Sequence, residues 1–225
     1  MSRGFSLAFL FNRCYTFVYM KILNLYAGIG GNRKLWGDEH EITAVEIKPE
    51  IAKIYQDNFP KDKVIVADAH QYLKEHFMEY DFIWSSPPCP THSQIRFIAT
   101  YEKGTDKIRQ TPVFPDMTLY QEIIFLKHYF RGKWCVENVV AFYKPLIPPH
   151  QFSHHWFWSN FFISDFNTGA SREHYGQIED LERVKEITLP PNTKGKRLLL
   201  RNCVEPPLGL HILKESLKEP NTLFK

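Results

Sequence analysis

The stretch KILNLYAGIGGNR (residues 21–33) decides the fold, because an apolar run ends abruptly in a glycine-rich turn. A short, continuous apolar run of this kind suits a strand covered on both faces, and KILNLYA (21–27) is read as one. GIGGNR (28–33) is read as a loop leading into a short helix. The pattern then repeats along the chain. EITAVEI (41–47) is a second strand, followed by a helix from Pro49, a favoured first helical residue, to about Asn58. KVIVAD (63–68) is a third strand and AHQYLKEHF (69–77) a helix; YDFIWSS (80–86) is a fourth strand that stops at Pro87-Pro88. Residues 94–116 read as a long polar loop, TLYQEIIFLKHYF (118–130) as a helix, KWCVENV (133–139) as a fifth strand and HWFWSNFFI (155–163) as a sixth. The segment 164–200 reads as irregular, before a last helix over 207–217. Regular alternation of strand and helix predicts an α/β fold: a mostly parallel twisted sheet with helices on both faces.

In such sheets ligands bind beyond the carboxyl ends of the strands. The residues with chemistry to offer fall there. Gly28, Gly30 and Gly31 follow strand one, Glu46 ends strand two, Asp68 ends strand three, Cys89 follows strand four, and Glu137 and Asn138 end strand five. They therefore share one cleft. Gly28-Ile29-Gly30-Gly31 lacks the third glycine of the dinucleotide fingerprint, and no Gly-Lys-Ser/Thr follows it, so neither a dinucleotide nor a P-loop site is indicated. A carboxylate at Glu46 can accept hydrogen bonds from ribose hydroxyls, and one at Asp68 from an adenine amine. Adenosine without a pyrophosphate describes S-adenosylmethionine.

The stretch SSPPCPTHS (85–93) sets one cysteine among three prolines, which stiffen the backbone and fix where the thiol points. A free cysteine is ordinarily a small buried hydrophobe, which is the reading for Cys14, Cys135 and Cys203. A proline-bound strand end is not core, so Cys89 is the candidate nucleophile; His92 reads as an ordinary loop histidine, with assistance to the thiolate as the alternative. In VENVV (136–140) a carboxylate sits inside an apolar strand, which is costly unless it is used or paired.

Bulk properties constrain less. With 44% hydrophobic and 24% charged residues the 225-residue chain can bury a core of its own. A net charge of +3 permits a polyanionic partner without demanding one. The four cysteines form no CxxC pair, which points away from zinc or any other metal site and from a disulfide framework, and towards a reducing, cytoplasmic compartment. Residues 1–20 are apolar and aromatic, but Arg13 interrupts them short of the roughly 18 residues a membrane span needs. They read as an N-terminal extension from a mis-called start, with a secretory signal as the alternative.

Taken in order, LYAGIGG, AVEI, ADAH, SSPPCPTHS, VENVV and RNCVEPPLGLHI resemble the DNA cytosine-C5 methyltransferases, over residues 21–213. The compact length resembles the short enzymes carried by phages and prophages. The resemblance implies a Rossmann-like class I fold that uses S-adenosylmethionine, in a catalytic domain over 21–163. It also implies a short target-recognition region over 164–201 and a C-terminal motif and helix over 202–225. It implies Cys89 as the nucleophile on C6 of a flipped cytosine, with Glu137 binding N3 and the exocyclic amine, beside Asn138. Cofactor contacts would come from Tyr26, Ala27, Gly28, Ile29, Gly30, Gly31, Glu46, Ile47, Asp68, Ala69, Pro87, Asn202 and Val204. Double-stranded DNA would meet Ser93, Arg96, Lys107 and Arg109 on the loop after Cys89, and Arg172, Lys196 and Arg197 in the recognition region, interleaved with His174 and Tyr175. A monomer is expected, and a cognate restriction nuclease is a partner the resemblance admits.

Two departures stand out. Pro90 follows the nucleophile where many members carry glutamine, and the strand that usually supplies two arginines has Ser153 and His155 at those positions. His155 would then substitute as a donor to the cytosine carbonyl. A transfer-RNA cytosine methyltransferase and a catalytically silent nucleic-acid-binding homologue are the competing readings.

Overall fold

The computed structural model describes residues 19–105, 107–152, 154–166 and 177–218. Strands β1 (Lys21–Leu25), β2 (Glu41–Glu46), β3 (Lys63–Val66), β4 (Phe82–Ser85), β5 (Lys133–Val139), β6 (His150–Phe152) and β7 (His155–Ser159) form one sheet in the order β3-β2-β1-β4-β5-β7-β6. The first five are parallel, whereas β7 runs antiparallel to both β5 and β6. The helices are α1 (Pro49–Asn58), α2 (Ala69–His76), α3 (Gln94–Thr100), α4 (Thr118–Tyr129), α5 (Ile178–Lys185), α6 (Lys196–Arg201) and α7 (Pro206–Ser216).

Both sheet faces are dry, as near-continuous apolar strands require. On one face Leu23, Leu25, Val45, Ile83 and Val136 pack against Leu73 of α2 and Leu119, Ile123 and Leu126 of α4. On the other, Ile22, Ile42, Phe82, Trp84, Cys135 and Phe157 pack against Leu208, Ile212 and Leu213 of α7. Pro49 and Pro206 open α1 and α7, where a missing N–H costs nothing.

Four expectations need correction. The loop over 94–116 contains α3, whose apolar residues Ile95 and Ile98 are exposed, so no buried face advertised it. The irregular segment over 164–200 contains α5 and α6, held by a separate cluster of Ile29, Leu181, Ile187, Leu189 and Leu200. Residues 31–35 form successive turns rather than a short helix, with Arg33 gripping Asp62 through Nε (2.8 Å) and Nη2 (3.0 Å). The three-residue β6 was not foreseen, and β7 ends at Ser159 rather than 163. Among the described residues no helix is long and apolar enough to cross a membrane.

Candidate active site

The glycine turn after β1 is shaped by close approaches. Gly30 has φ +86°, and a Cβ there would lie 2.2 Å from the Phe59 ring. A Cβ on Gly31 would lie 2.6 Å from the Val204 carbonyl, so the glycine is what lets the C-terminal motif seat against this turn. Gly28 differs: its φ is +55°, yet nothing lies within 4 Å of where a Cβ would be. Its open side is free for a ligand. The Glu46 carboxylate accepts from Gly28 N (3.1 Å) and Lys48 N (3.0 Å), which fixes it at the lip of that opening. Ile47 beside it is an exposed apolar surface (58%), and Asp68 caps α2 by accepting from Gln71 N (2.9 Å). An acid, an apolar face and a bare backbone turn suit an adenosyl group. Ala27, Ile29, Ala69, Pro87 and Val204 are buried around this framework, while Asn202 is exposed. Tyr26 turns inward: its hydroxyl donates to Glu122 Oε1 (2.6 Å).

Glu122 is a residue that sequence reasoning missed. It is fully buried on α4, and it also meets His70 Nδ1 (3.0 Å) and accepts from Ser85 Oγ (2.5 Å). This one carboxylate thus fastens the ends of β1 and β4 and the start of α2.

Cys89 lies half-buried just beyond β4. Asn138, at the end of β5, donates from Nδ2 to the Pro87 carbonyl (2.9 Å) and so staples the proline turn to the strand that carries Glu137. Burial, reinforced by the Glu137 carboxylate, pushes the Cys89 thiol up to about 11. The resting group is therefore a protonated thiol. No hydrogen bond joins His92 to it among the described residues: the His92 ring is buried, its Nδ1 meets the Tyr143 hydroxyl (2.6 Å), and desolvation lowers its pKa.

Glu137 Oε1 meets His155 Nδ1 at 2.6 Å, and His155 Nε2 faces Glu205 Oε2 at 3.5 Å. The imidazole is buried between two carboxylates. Burial alone would lower its pKa, but the paired acids win and hold it up at about 9. Both ring nitrogens are thereby engaged within the protein, so donation to a cytosine carbonyl, the role expected of His155, would require Nε2 to leave Glu205. Ser153 lies outside the described residues.

The expected nucleic-acid contacts divide. Arg96, Lys107 and Arg109 are exposed, and Ser93 is half-buried where it bridges to Ala141. Arg96 lines a groove of about 130 Å³ with Phe97, Tyr101 and Phe142. Arg197 and Arg201 line an open groove of about 550 Å³ along α6. Lys196 lines it too, but its ammonium is spent internally on Glu182 (2.7 Å) and the Leu189 carbonyl (2.9 Å). Arg172, His174, Tyr175 and Cys14 lie outside the described residues.

A comparison with curated proteins returns no match. Among solved structures, a putative methyltransferase from Escherichia coli is similar at 15% identity and TM-score 0.39, over 62% of this chain and 74% of that one. A putative DNA modification methyltransferase encoded within an E. coli prophage is similar at 19% identity and TM-score 0.36, over 56% and 33%. The Spodoptera frugiperda DNMT2 mutant is similar at 27% identity and TM-score 0.35, over 53% and 35%. This chain thus spans only about a third of the latter two. The model of the C-5 cytosine-specific DNA methylase family matches residues 20–144. That match takes in more than half of the chain, including the glycine turn, Cys89 and Glu137, and the protein belongs to the C-5 cytosine-specific DNA methylase family.

Proposed function

We propose that this protein methylates C5 of cytosine in double-stranded DNA through a covalent adduct between Cys89 and C6 of the ring. The observation that carries the reading is the pairing of β4 with β5, which sets a proline-locked thiol and a half-engaged carboxylate at adjacent strand ends, joined by the Asn138–Pro87 hydrogen bond. Membership of this family brings S-adenosylmethionine as the donor of an electrophilic methyl group. Gly28, Glu46, Ile47 and Asp68 would hold it.

C5 of cytosine is a poor nucleophile until a thiolate adds to C6. As the Cys89 Sγ–C6 bond forms, the thiol proton passes to the Glu137 carboxylate and on to N3, where it neutralises the electron pair displaced from C5–C6. Taking up a proton also removes the negative charge that holds the thiol protonated, so the two events favour each other. After C5 is methylated, the C5 proton passes to solvent and N3 returns its proton to Glu137 as the C5–C6 double bond re-forms and Sγ leaves as the thiolate. Both ring faces must be reached, so the base has to leave the duplex. The exposed Arg96, Lys107 and Arg109 would hold backbone phosphates, with Arg197 and Arg201 of the short recognition region over 164–201.

The test is duplex DNA carrying 5-fluorocytosine, which cannot lose the C5 substituent. With cofactor present the wild type should become covalently linked to it, and Cys89→Ala should form no adduct while still binding cofactor. Transfer RNA presented in competition decides the substrate class. Methyl transfer undiminished in Cys89→Ala would end the proposal.

A further inference from the structure

Four desolvated charges run in single file from the proposed acid of the site to the end of α5. Glu137 of β5 meets His155 of β7 (2.6 Å), His155 faces Glu205 ahead of α7 (3.5 Å), and Glu205 Oε1 accepts from Lys185 of α5 (2.9 Å). Their side chains are 9%, 14%, 8% and 1% exposed. Lys185 also donates to the Cys203 carbonyl (2.5 Å), which fixes the terminal link of the file to the C-terminal motif. Signs alternate along the file, so each desolvated charge has an opposite neighbour, the condition under which a buried ion pair holds.

We propose that Glu205 and Lys185 are positioning residues for Glu137, acting through His155, so that the segment carrying α5 and the start of α7 completes the catalytic centre. The inference rests on the proposed function. His155 holds Oε1 of Glu137 and leaves its other oxygen as the one face for proton exchange. Among the described residues that oxygen accepts no hydrogen bond. Glu205 keeps the imidazole charged and turned, and Lys185 prevents Glu205 from competing with Glu137 for it. The ionisable groups bearing on His155 are Glu137 from β5, Glu205 from α7 and, through Glu205, Lys185 from α5. Cys89 and Cys135 feel Glu137 in turn.

The active form carries His155 protonated, so the rate should fall as pH rises through the imidazole's value of about 9. The experiment follows 5-fluorocytosine adduct formation against pH at saturating cofactor in the full-length protein. Glu205→Gln removes one of the two carboxylates, and the fall should move down by about 1–2 pH units, costing about two- to tenfold in rate at pH 8. A role confined to stability would lower melting temperature and leave that profile where it was. His155→Arg retains a cation that does not titrate, and the fall near pH 9 should disappear; it carries the test should Glu205→Gln not fold. The imidazole itself, followed by NMR, should titrate well above 6.5 in the wild type and lower in Glu205→Gln. An unshifted profile in both variants, or a wild-type imidazole titrating near 6.5, would overturn the inference even with methyl transfer intact. A raised titration that drops in Glu205→Gln, in a protein that forms no adduct, would keep the charge file and overturn the proposed function instead.

Discussion

Glu122 and Glu137 are both buried carboxylates near the carboxyl end of the sheet, and they are satisfied in opposite ways. Both oxygens of Glu122 are taken, by the Tyr26 and Ser85 hydroxyls and His70. Glu137 has one oxygen held by His155, and among the described residues the other accepts no hydrogen bond; its neighbour is a charge rather than a hydroxyl. A saturated buried acid locks elements together; a half-satisfied one retains the capacity to bind and exchange a proton. The difference separates a fastening from a working group in residues of identical chemistry.

The sharpest break of that comparison is Glu122→Ala. It leaves the Ser85 and Tyr26 hydroxyls without their acceptor and the part-exposed His70 without its acid, and urea unfolding should show a loss of about 2–4 kcal/mol. A loss below about 1 kcal/mol would mean water or relaxation replaces the acid, and the fastening role would go. Glu137→Gln should do the reverse. Adduct formation should slow about 10²- to 10³-fold, as when a single preorganised group is lost, while stability stays within about 1 kcal/mol because the amide oxygen still accepts from His155. Equal effects of the two substitutions on rate and stability would erase the distinction. Smaller again is Gly31→Ala, whose new methyl would press on Val204 and Cys203. Unfolding should register about 1–3 kcal/mol, with weaker cofactor binding, because the clash displaces the segment that leads into Glu205. Unchanged affinity would show that the turn and the C-terminal motif move independently.

Much of this was legible in the sequence, for a physical reason. Apolar strands covered on both faces leave continuous hydrophobic runs, and the polar residues that interrupt them at Glu46, Cys89 and Glu137 stand out against that background. Strand order then brings them together without any further information. What stayed hidden has the opposite character. Glu122 looks like any polar residue of an amphipathic helix, and its partners lie 96, 52 and 37 positions away. Nothing in the sequence marks Lys185 and Glu205 as partners, since 20 positions separate them and only the tertiary fold brings the end of α5 to the residue ahead of α7. Nearness of His92 to Cys89 in sequence says nothing of ring direction, and Tyr143, 51 residues on, meets its Nδ1.

The reversed direction of β7 has a consequence for how the chain tolerates change. A parallel strand offers the cleft its final residues, whereas an antiparallel one offers its first, so His155 arrives opposite Val139 by ladder register alone. The bend over 143–149 braces that strand: Trp158 Nε1 of β7 donates to the Ile147 carbonyl (2.8 Å), Leu146 N donates to the Tyr120 hydroxyl (3.2 Å) and Tyr143 meets His92. Lengthening or trimming it should loosen β7, so a tag or reporter belongs elsewhere on the chain.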